Sequence, residues 1–435
     1  MAIEDPAQHI PVAPVNTESG ADSLPADAMG DGYRILIYSH DSFGLGHLRR
    51  CRAIAHALVE RRSNLSVLIL SGSPIIGSFD FRSRVDFVRV PGVIKLRNGE
   101  YTALNLHIGL QQTLAIRASI IRHTAEVFAP HLFLVDKEPL GLRGEIEDTL
   151  RFLKDRGTPL VLGLRDVMDE PELLLPEWER KNAMPALVNY YDSVWVYGLP
   201  QICDPLAGLS VPDSVRRKMV YTGYLRRELP TGGPVPSEQE FGDDPYILVT
   251  PGGGGDGEAL VDWILRVYEE RRDMPARALV VTGPFMQPDK QAEFQQRAAA
   301  LDDVEMSTFE AHLEHLVSGA EAVVAMGGYN TFCEILSFDK RALLVPRTEP
   351  RREQLIRASK AQNAGLLTML EDDGVRSVDR MATALRQLLQ QHKPSDVVVP
   401  GLLDGLDNVN RLVEKLVGSA TPGAQSAHPG RIKAI

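Results

Sequence analysis

The chain has 435 residues, 44% of them hydrophobic, and a formal net charge of −11 at pH 7. That length fits two or three domains of roughly 100–200 residues, and the apolar fraction is enough to give each a core. The acidic balance argues against a duplex nucleic-acid binder, which presents a basic stripe, and weakens the case for an anionic membrane surface.

Met1 to Gly32 is rich in Ala, Pro, Ser and Asp, with neither a basic start nor an apolar core. It reads as a disordered acidic leader, not an export signal. No window approaches about 18 consecutive apolar residues, so no ordinary transmembrane helix is expected. Cys51, Cys203 and Cys333 are too far apart for a zinc spacing and odd in number, which fits a reducing cytoplasm.

Strand and helix patterns then alternate. Arg34 to Tyr38 (RILIY) is an apolar strand, followed by the glycine loop Ser42 to Arg50 (SFGLGHLRR). A helix over His47 to Arg62 places Leu48, Cys51, Ile54, Ala55 and Leu58 on one face. Further strands are predicted at Leu65–Leu70, Phe87–Val90, Leu132–Val135, Leu160–Gly163, Val194–Val196 and Met219–Thr222, with a helix over Leu104–Phe128. Continuous apolar strands alternating with helices predict a parallel sheet covered on both faces.

Arg226 to Asp244 is rich in Pro and Gly, lacks apolar periodicity and reads as an interdomain linker between residues 33–225 and 245–418. The pattern restarts with the strand Tyr246–Thr250 and the loop Pro251 to Gly257 (PGGGGDG). Helices follow at Glu258–Arg271, Lys290–Leu301, Ala311–Ser318 and Tyr329–Ser337, and from Glu353 onward. Strands alternate with them at Ala278–Thr282, Val304–Ser307, Ala322–Ala325 and Ala342–Val345. Residues 419–435 read as a tail.

Each glycine loop joins a strand to a helix N-terminus, where free backbone N–H groups and the helix dipole favour an anion. Two such units predict two α/β domains facing one phosphorylated ligand. Gly252, Gly254 and Gly257 satisfy GxGxxG, yet neither loop has the ribose-binding acid of a dinucleotide site at the end of its second strand. No Lys-Ser or Lys-Thr pair closes either run, so a P-loop is not expected.

A third motif, Met326 to Thr331 (MGGYNT), is followed by Glu334, a strand ending at Pro346, and Pro350 to Gln354 (PRREQ). This segment resembles the nucleotide-binding half of GT-B glycosyltransferases, close to the MurG-type enzymes that transfer N-acetylglucosamine from UDP. The first loop, with Gly44, Gly46, His47 and Arg50 as GxGHxxR after Asp41 and Ser42, is similar to the MurG-type loop and closer still to the UDP-sugar hydrolase of pseudaminic acid synthesis. The fold implied is two Rossmann-like domains facing a cleft.

The resemblance implies roles residue by residue. Glu334 would accept hydrogen bonds from the ribose hydroxyls, and the backbone at Phe309 would read the uracil edge. Gly253, Gly254 and Gly255 would approach the diphosphate, and Gly327, Gly328, Asn330 and Thr331 would hold its α-phosphate. Glu353 and Gln354 would contact the sugar. His47 is a candidate general base, with Asp136 and Asp166 its rivals near strand ends, and Arg50 a partner for leaving-group charge. Arg49 reads as a solvated helix face.

The expected activity is transfer of a sugar, an N-acetylhexosamine, from a UDP-sugar with inversion and no metal or cofactor; hydrolysis and catalytically silent binding stay open. The acceptor, whether glycan, lipid-linked or small, is not specified. VDKEPLGLRGE and GLRDVMDEP replace the family's acceptor-side segments, so a lipid-linked muropeptide is not supported. Glu170 to Trp178 (EPELLLPEW) is a candidate lid or peripheral membrane contact, or is packed.

Overall fold

Apolar strands of this kind are buried on both faces only if helices cover the sheet from both sides, and that is how the chain folds. The computed structural model describes residues 32–41, 46–95, 101–229, 244–253, 255–310 and 312–418. Gly44 and Gly254, the rest of the leader, residues 230–243 of the expected linker and the tail from 419 lie outside the described residues.

The first sheet uses β1 (Tyr33–Ser39), β2 (Leu65–Ser71), β3 (Val85–Arg89), β6 (Leu132–Asp136), β7 (Leu160–Arg165), β8 (Ser193–Tyr197) and β9 (Met219–Tyr221). Their spatial order is β3-β2-β1-β6-β7-β8-β9, all parallel. The second uses β10 (Tyr246–Thr250), β11 (Arg277–Val281), β12 (Val304–Ser307), β13 (Ala322–Ala325), β14 (Arg341–Leu344) and β15 (Thr368–Met369), in the order β12-β11-β10-β13-β14-β15 and again parallel. Both are doubly wound, Rossmann-like sheets. Each order reverses once, between β1 and β6 and between β10 and β13, and ligands of such sheets bind in the crevice outside the strand C-termini at that reversal.

The helix α1 (Gly46–Arg61) buries Leu48, Cys51, Ile54, Ala55, Leu58 and Val59, the stripe expected of a 3.6-residue period. One apolar core contains this stripe, Ile35 and Ile37 of the first sheet, and Leu248, Val323 and Leu344 of the second. Separate cores cover the far face of each sheet.

Three features differ from the sequence reading or add to it. The helix expected from Leu104 begins at Leu110, because β5 (Tyr101–Ala103) pairs antiparallel with β4 (Val93–Lys95) and Leu104 N–H donates to Gly92 O at 2.9 Å. EPELLLPEW is a helix, Pro171–Arg180, with Leu174 and Trp178 buried and Leu173 and Leu175 45% and 44% exposed. The last helix, Gly405–Gly418, packs on α1 and β6 of the first sheet although it follows the second in sequence.

The chain's crossover to that helix is tight. Tyr224 N–H donates to Leu402 O at 2.8 Å and Gly405 N–H to Tyr224 O at 3.1 Å. Gly223 has φ of +88°, and a Cβ there would sit 2.4 Å from Gly401 O, so only glycine fits.

Candidate active site

Among the described residues, Gly46–His47 at the start of α1, Lys137–Glu138 after β6, Pro251–Gly253 after β10 and Met326–Gly328 after β13 follow the strands on either side of the two reversals. Several side chains singled out in the sequence therefore stand at the carboxyl ends of the strands.

His47 is the second residue of α1, and its side chain is 20% exposed. Its Nδ1 contacts Asp136 Oδ2 at the end of β6. Arg50, one turn on in α1, donates to both oxygens of Asp136, Nε to Oδ1 at 2.8 Å and Nη2 to Oδ2 at 2.6 Å. Burial alone would raise the Asp136 carboxyl, but Arg50 and His47 hold it well below the usual carboxylate range. An ionised carboxylate only accepts, so His47 carries its proton on Nδ1 and its lone pair on Nε2. Burial lowers the His47 pKa, as do Arg50 and Lys137, while Asp136 opposes them; the net shift favours the neutral ring. Among the described residues no hydrogen bond reaches Nε2.

Two of the three candidate bases are thus one unit, an imidazole oriented by a carboxylate, the arrangement used by general bases that activate a hydroxyl. Arg50 is buried on Asp136 and stacks 5.5 Å from the Tyr329 ring centroid. It steadies the pair and is not turned toward a leaving group. Asp41 accepts from Leu48 N–H at 3.1 Å, Ser39 Oγ at 2.5 Å and Ser71 Oγ at 2.7 Å. It therefore takes one of the α1 N-terminal amides that the loop pattern offered to a phosphate.

The third candidate base has another partner. Asp166, buried beyond β7, receives Arg357 Nε at 2.8 Å on Oδ2 and Nη2 at 2.6 Å on Oδ1. Tyr224 Oη and the Val167 amide also donate to it, at 3.0 and 2.8 Å. Every acceptor position is filled, and the pair joins the two halves of the chain.

On the second sheet, Gly327 (φ +83°) and Gly328 lead into the helix Tyr329–Ser337, the range expected from the sequence. Arg357 Nη1 donates to Gly327 O at 2.9 Å and fixes this turn. Asn330 spans the halves, donating to Gly46 O at 3.0 Å and accepting from Arg227 at 2.8 Å. Thr331 is buried beside it. Gly253 accepts from Phe285 N–H at 3.1 Å, and a Cβ at Gly255 would meet nothing within 4 Å. Phe309 is 38% exposed just past β12.

Glu334 is fully buried. Arg49, expected on a solvated face, reaches across from α1 and donates to Glu334 Oε1 at 2.6 Å and Glu314 Oε1 at 2.8 Å. Its neighbour Arg50 is committed to Asp136, so consecutive guanidiniums leave the helix for different partners. Burial pushes Glu334 up to about 7, with Arg49 opposing and Glu314 adding to the rise, whereas Arg49 and its hydrogen bond hold Glu314 down near about 2 against its own burial. The second oxygen of each carboxylate has no partner. Glu353 Oε1 accepts from Arg347 Nη2 at 2.5 Å, and Gln354 Oε1 from the Arg347 amide at 3.2 Å. Glu353 Oε2 and Arg347 Nε are also unpartnered.

Residues 247–395 match the family model of the glycosyltransferase family 28 C-terminal domain. S. aureus MnaA with UDP aligns at a TM-score of 0.59 and 14% identity over 88% of this chain and 97% of its own. Phytolacca americana UGT2 with UDP-2-fluoro-glucose and pterostilbene aligns at 0.58 and 13% over 89% and 96%. CalG4, the calicheamicin glycosyltransferase, aligns at 0.53 and 15% over 90% and 100%. The chain has the GT-B glycosyltransferase fold, and residues 247–395 of its second half resemble the C-terminal domain of glycosyltransferase family 28. A search of curated protein sequences finds no match.

Within this GT-B frame, sequence reasoning missed Arg49, Glu314, Arg357, Lys137 and Arg165. The Arg49–Arg50 pair was a usable signal, since two adjacent arginines after a glycine loop cannot share one face of a helix. Among the described residues no helix is long and apolar enough to cross a membrane.

Proposed function

We propose that this chain is a cytoplasmic glycosyltransferase that moves a sugar from a UDP-sugar to an acceptor hydroxyl, with inversion and without a metal. The observation that carries the reading is the His47–Asp136 pair, set at the strand ends of the first sheet and tied through Asn330–Gly46 to the half that resembles a family 28 domain. Two aligned structures contain UDP or a UDP-sugar analogue, which supports the nucleotide. The choice of an N-acetylhexosamine rests on the MurG-type motif alone.

In this reading His47 Nε2 removes the acceptor proton as the oxygen attacks the anomeric carbon, and Asp136 stabilises the imidazolium that forms. Neutralisation of the departing diphosphate falls to the N-terminus of the helix Tyr329–Ser337 and to the loop at Gly253 and Gly255. The ribose hydroxyls donate to Glu334 once Arg49 yields, and Glu353 with Gln354 meets the sugar. Three unpaired cysteines suit a reducing compartment.

The test measures UDP release from a panel of UDP-sugars, with and without candidate acceptors, in wild type and His47→Ala. A transferase releases UDP faster with its acceptor, and the variant loses that rate while keeping UDP affinity. Release that is independent of any acceptor but lost in His47→Ala would make the protein a hydrolase, the activity of the family its GxGHxxR loop also resembles. No UDP binding would sink both.

A further inference from the structure

Next to the His47–Asp136 pair stand two cations, Lys137 with only a long ion pair to Glu138 and Arg165 with no side-chain partner among the described residues. Lys137 follows Asp136, and its N–H donates to Gly163 O at 2.8 Å, placing it over the junction of β6 and β7. Glu138 N–H donates back to Asp136 O at 2.9 Å, closing a γ-turn in which Lys137 has φ of +69°. That backbone is rare and strained for a side-chain-bearing residue, and such strain persists where the surrounding structure imposes it. Arg165 ends β7 two residues past Gly163, which pairs with Asp136, so Arg165 lies on the same face as the carboxylate of the pair.

Neither cation has a carboxylate within hydrogen-bond distance. The Lys137 side chain is 14% exposed, and its nearest carboxylate, Glu138, stands 3.7 Å away while accepting a 2.8 Å bond from Lys181. Arg165 Nε is buried with no partner, and no hydrogen bond or ion pair of its side chain is found among the described residues. The other nearby cations are satisfied: Arg351 by Glu177 at 2.6 Å, and Lys181 by Glu138 and Glu177. Burial, with Arg165, Arg351 and Lys181 close by, pushes the Lys137 ammonium down to about 8; Glu138 only partly offsets them. Burial and the guanidiniums of Arg357 and Arg50 bring Arg165 down to about 10, against the attraction of Glu353. Two desolvated cations on adjacent strand ends, neither hydrogen-bonded to a carboxylate, are costly unless an anion completes them.

Building on the glycosyltransferase reading, we infer that Lys137 and Arg165 bind a carboxylate or phosphate group of the acceptor, so that the acceptor is a sugar acid, a sugar phosphate or a related hydroxylated anion. The donor's diphosphate has its own place at the glycine turns of the second sheet, whereas both cations belong to the first sheet and flank the base. An anion held there puts a neighbouring hydroxyl within reach of His47 Nε2. It also draws charge away from His47, whose pKa Lys137 otherwise lowers.

The experiment titrates inorganic phosphate and D-glucuronate by calorimetry into the full-length protein, with and without saturating UDP, for wild type, Lys137→Met and Arg165→Gln. The inference expects at least one probe to bind the UDP-loaded protein and to lose tenfold or more in affinity in each variant, with UDP affinity held within about twofold. Mutual exclusion of probe and UDP would overturn it, assigning the cations to the donor's diphosphate. Equal probe affinity in wild type and variants, or no probe binding, would overturn it as well. Failure of wild type to bind UDP would instead sink the glycosyltransferase reading. Should the variants not fold, acetic anhydride labelling of the wild-type protein at pH 7.5 decides: Lys137 should be acetylated ahead of the exposed lysines and protected by phosphate, and lack of protection refutes the site.

Discussion

Asp166→Asn separates a structural carboxylate from a chemical one. In the wild type both members of the Asp166–Arg357 pair are fully buried, joined by two hydrogen bonds of 2.8 and 2.6 Å. Asparagine keeps the shape but removes the charge and turns an N–H₂ toward at least one guanidinium N–H, leaving a buried cation uncompensated. Removing one partner of such a pair costs about 3–5 kcal/mol. For a domain near 200 residues that is a fall in Tm of about 6–20 °C. Replacing both residues, as Asp166→Leu with Arg357→Met, removes both desolvation penalties and should recover much of the loss. The assay is thermal unfolding by circular dichroism on the two single variants and the double, with UDP affinity and turnover measured well below each Tm. A melt within about 1 kcal/mol of wild type, together with a hundredfold loss of turnover, would refute the structural assignment and make Asp166 the base.

His47→Gln should reduce turnover by about 10²–10⁴ while leaving UDP affinity intact, as read by steady-state kinetics beside calorimetry. In the proposed function nucleotide affinity should strengthen as pH rises through about 7, because Glu334 is pushed up to that value and accepts from the ribose hydroxyls with both oxygens when ionised. The same shift means that the folded state holds a proton the unfolded chain gives up lower, so this group's contribution to stability is present below the ordinary carboxylate range and is lost toward pH 7. Titrations of Glu334→Gln should be flat in both measurements. Gly163→Ala would place a Cβ 2.2 Å from the buried Tyr197 hydroxyl on the neighbouring strand and should cost about 1–3 kcal/mol, seen as a lower denaturant midpoint.

What the sequence shows and hides follows from distance along the chain. The helix Tyr329–Ser337 was readable to the residue because MGGYNT supplies a glycine turn before it and the apolar spacing is local. β13 was readable for the same reason, being the short apolar run AVVA between Glu321 and the glycine turn. The hairpin of β4 and β5 was hidden because its pairing, Val93 with Ala103, leaves no alternation long enough to see. In the site, the glycine context singled out His47 and the strand end singled out Asp136, but nothing local says that they touch across 89 positions. Arg49 looked solvated because its partners lie 265 and 285 residues away. Asp166 looked available as a base because Arg357 is 191 residues distant.

The ties between the two halves, Arg49 with Glu314 and Glu334, Asp166 with Arg357, and Asn330 with Gly46, specify a closed arrangement without holding it shut. Substituting one partner strands a charge in a dry site, which is why Asp166→Asn is costly. Parting the halves is a different event, because both members of each pair return to water together and their regained hydration offsets most of the lost attraction. For Glu334 that event has a chemical consequence. Burial is the main cause of its raised pKa, so exposure to water brings the carboxyl back toward its ordinary range and ionises it at neutral pH. Were the halves to part, release of Glu334 from Arg49 would therefore also ionise the carboxyl that, in the proposed function, accepts from the ribose hydroxyls. A nucleotide entering such an opened cleft would meet a charged acceptor, whereas burial in the closed arrangement favours the protonated carboxyl.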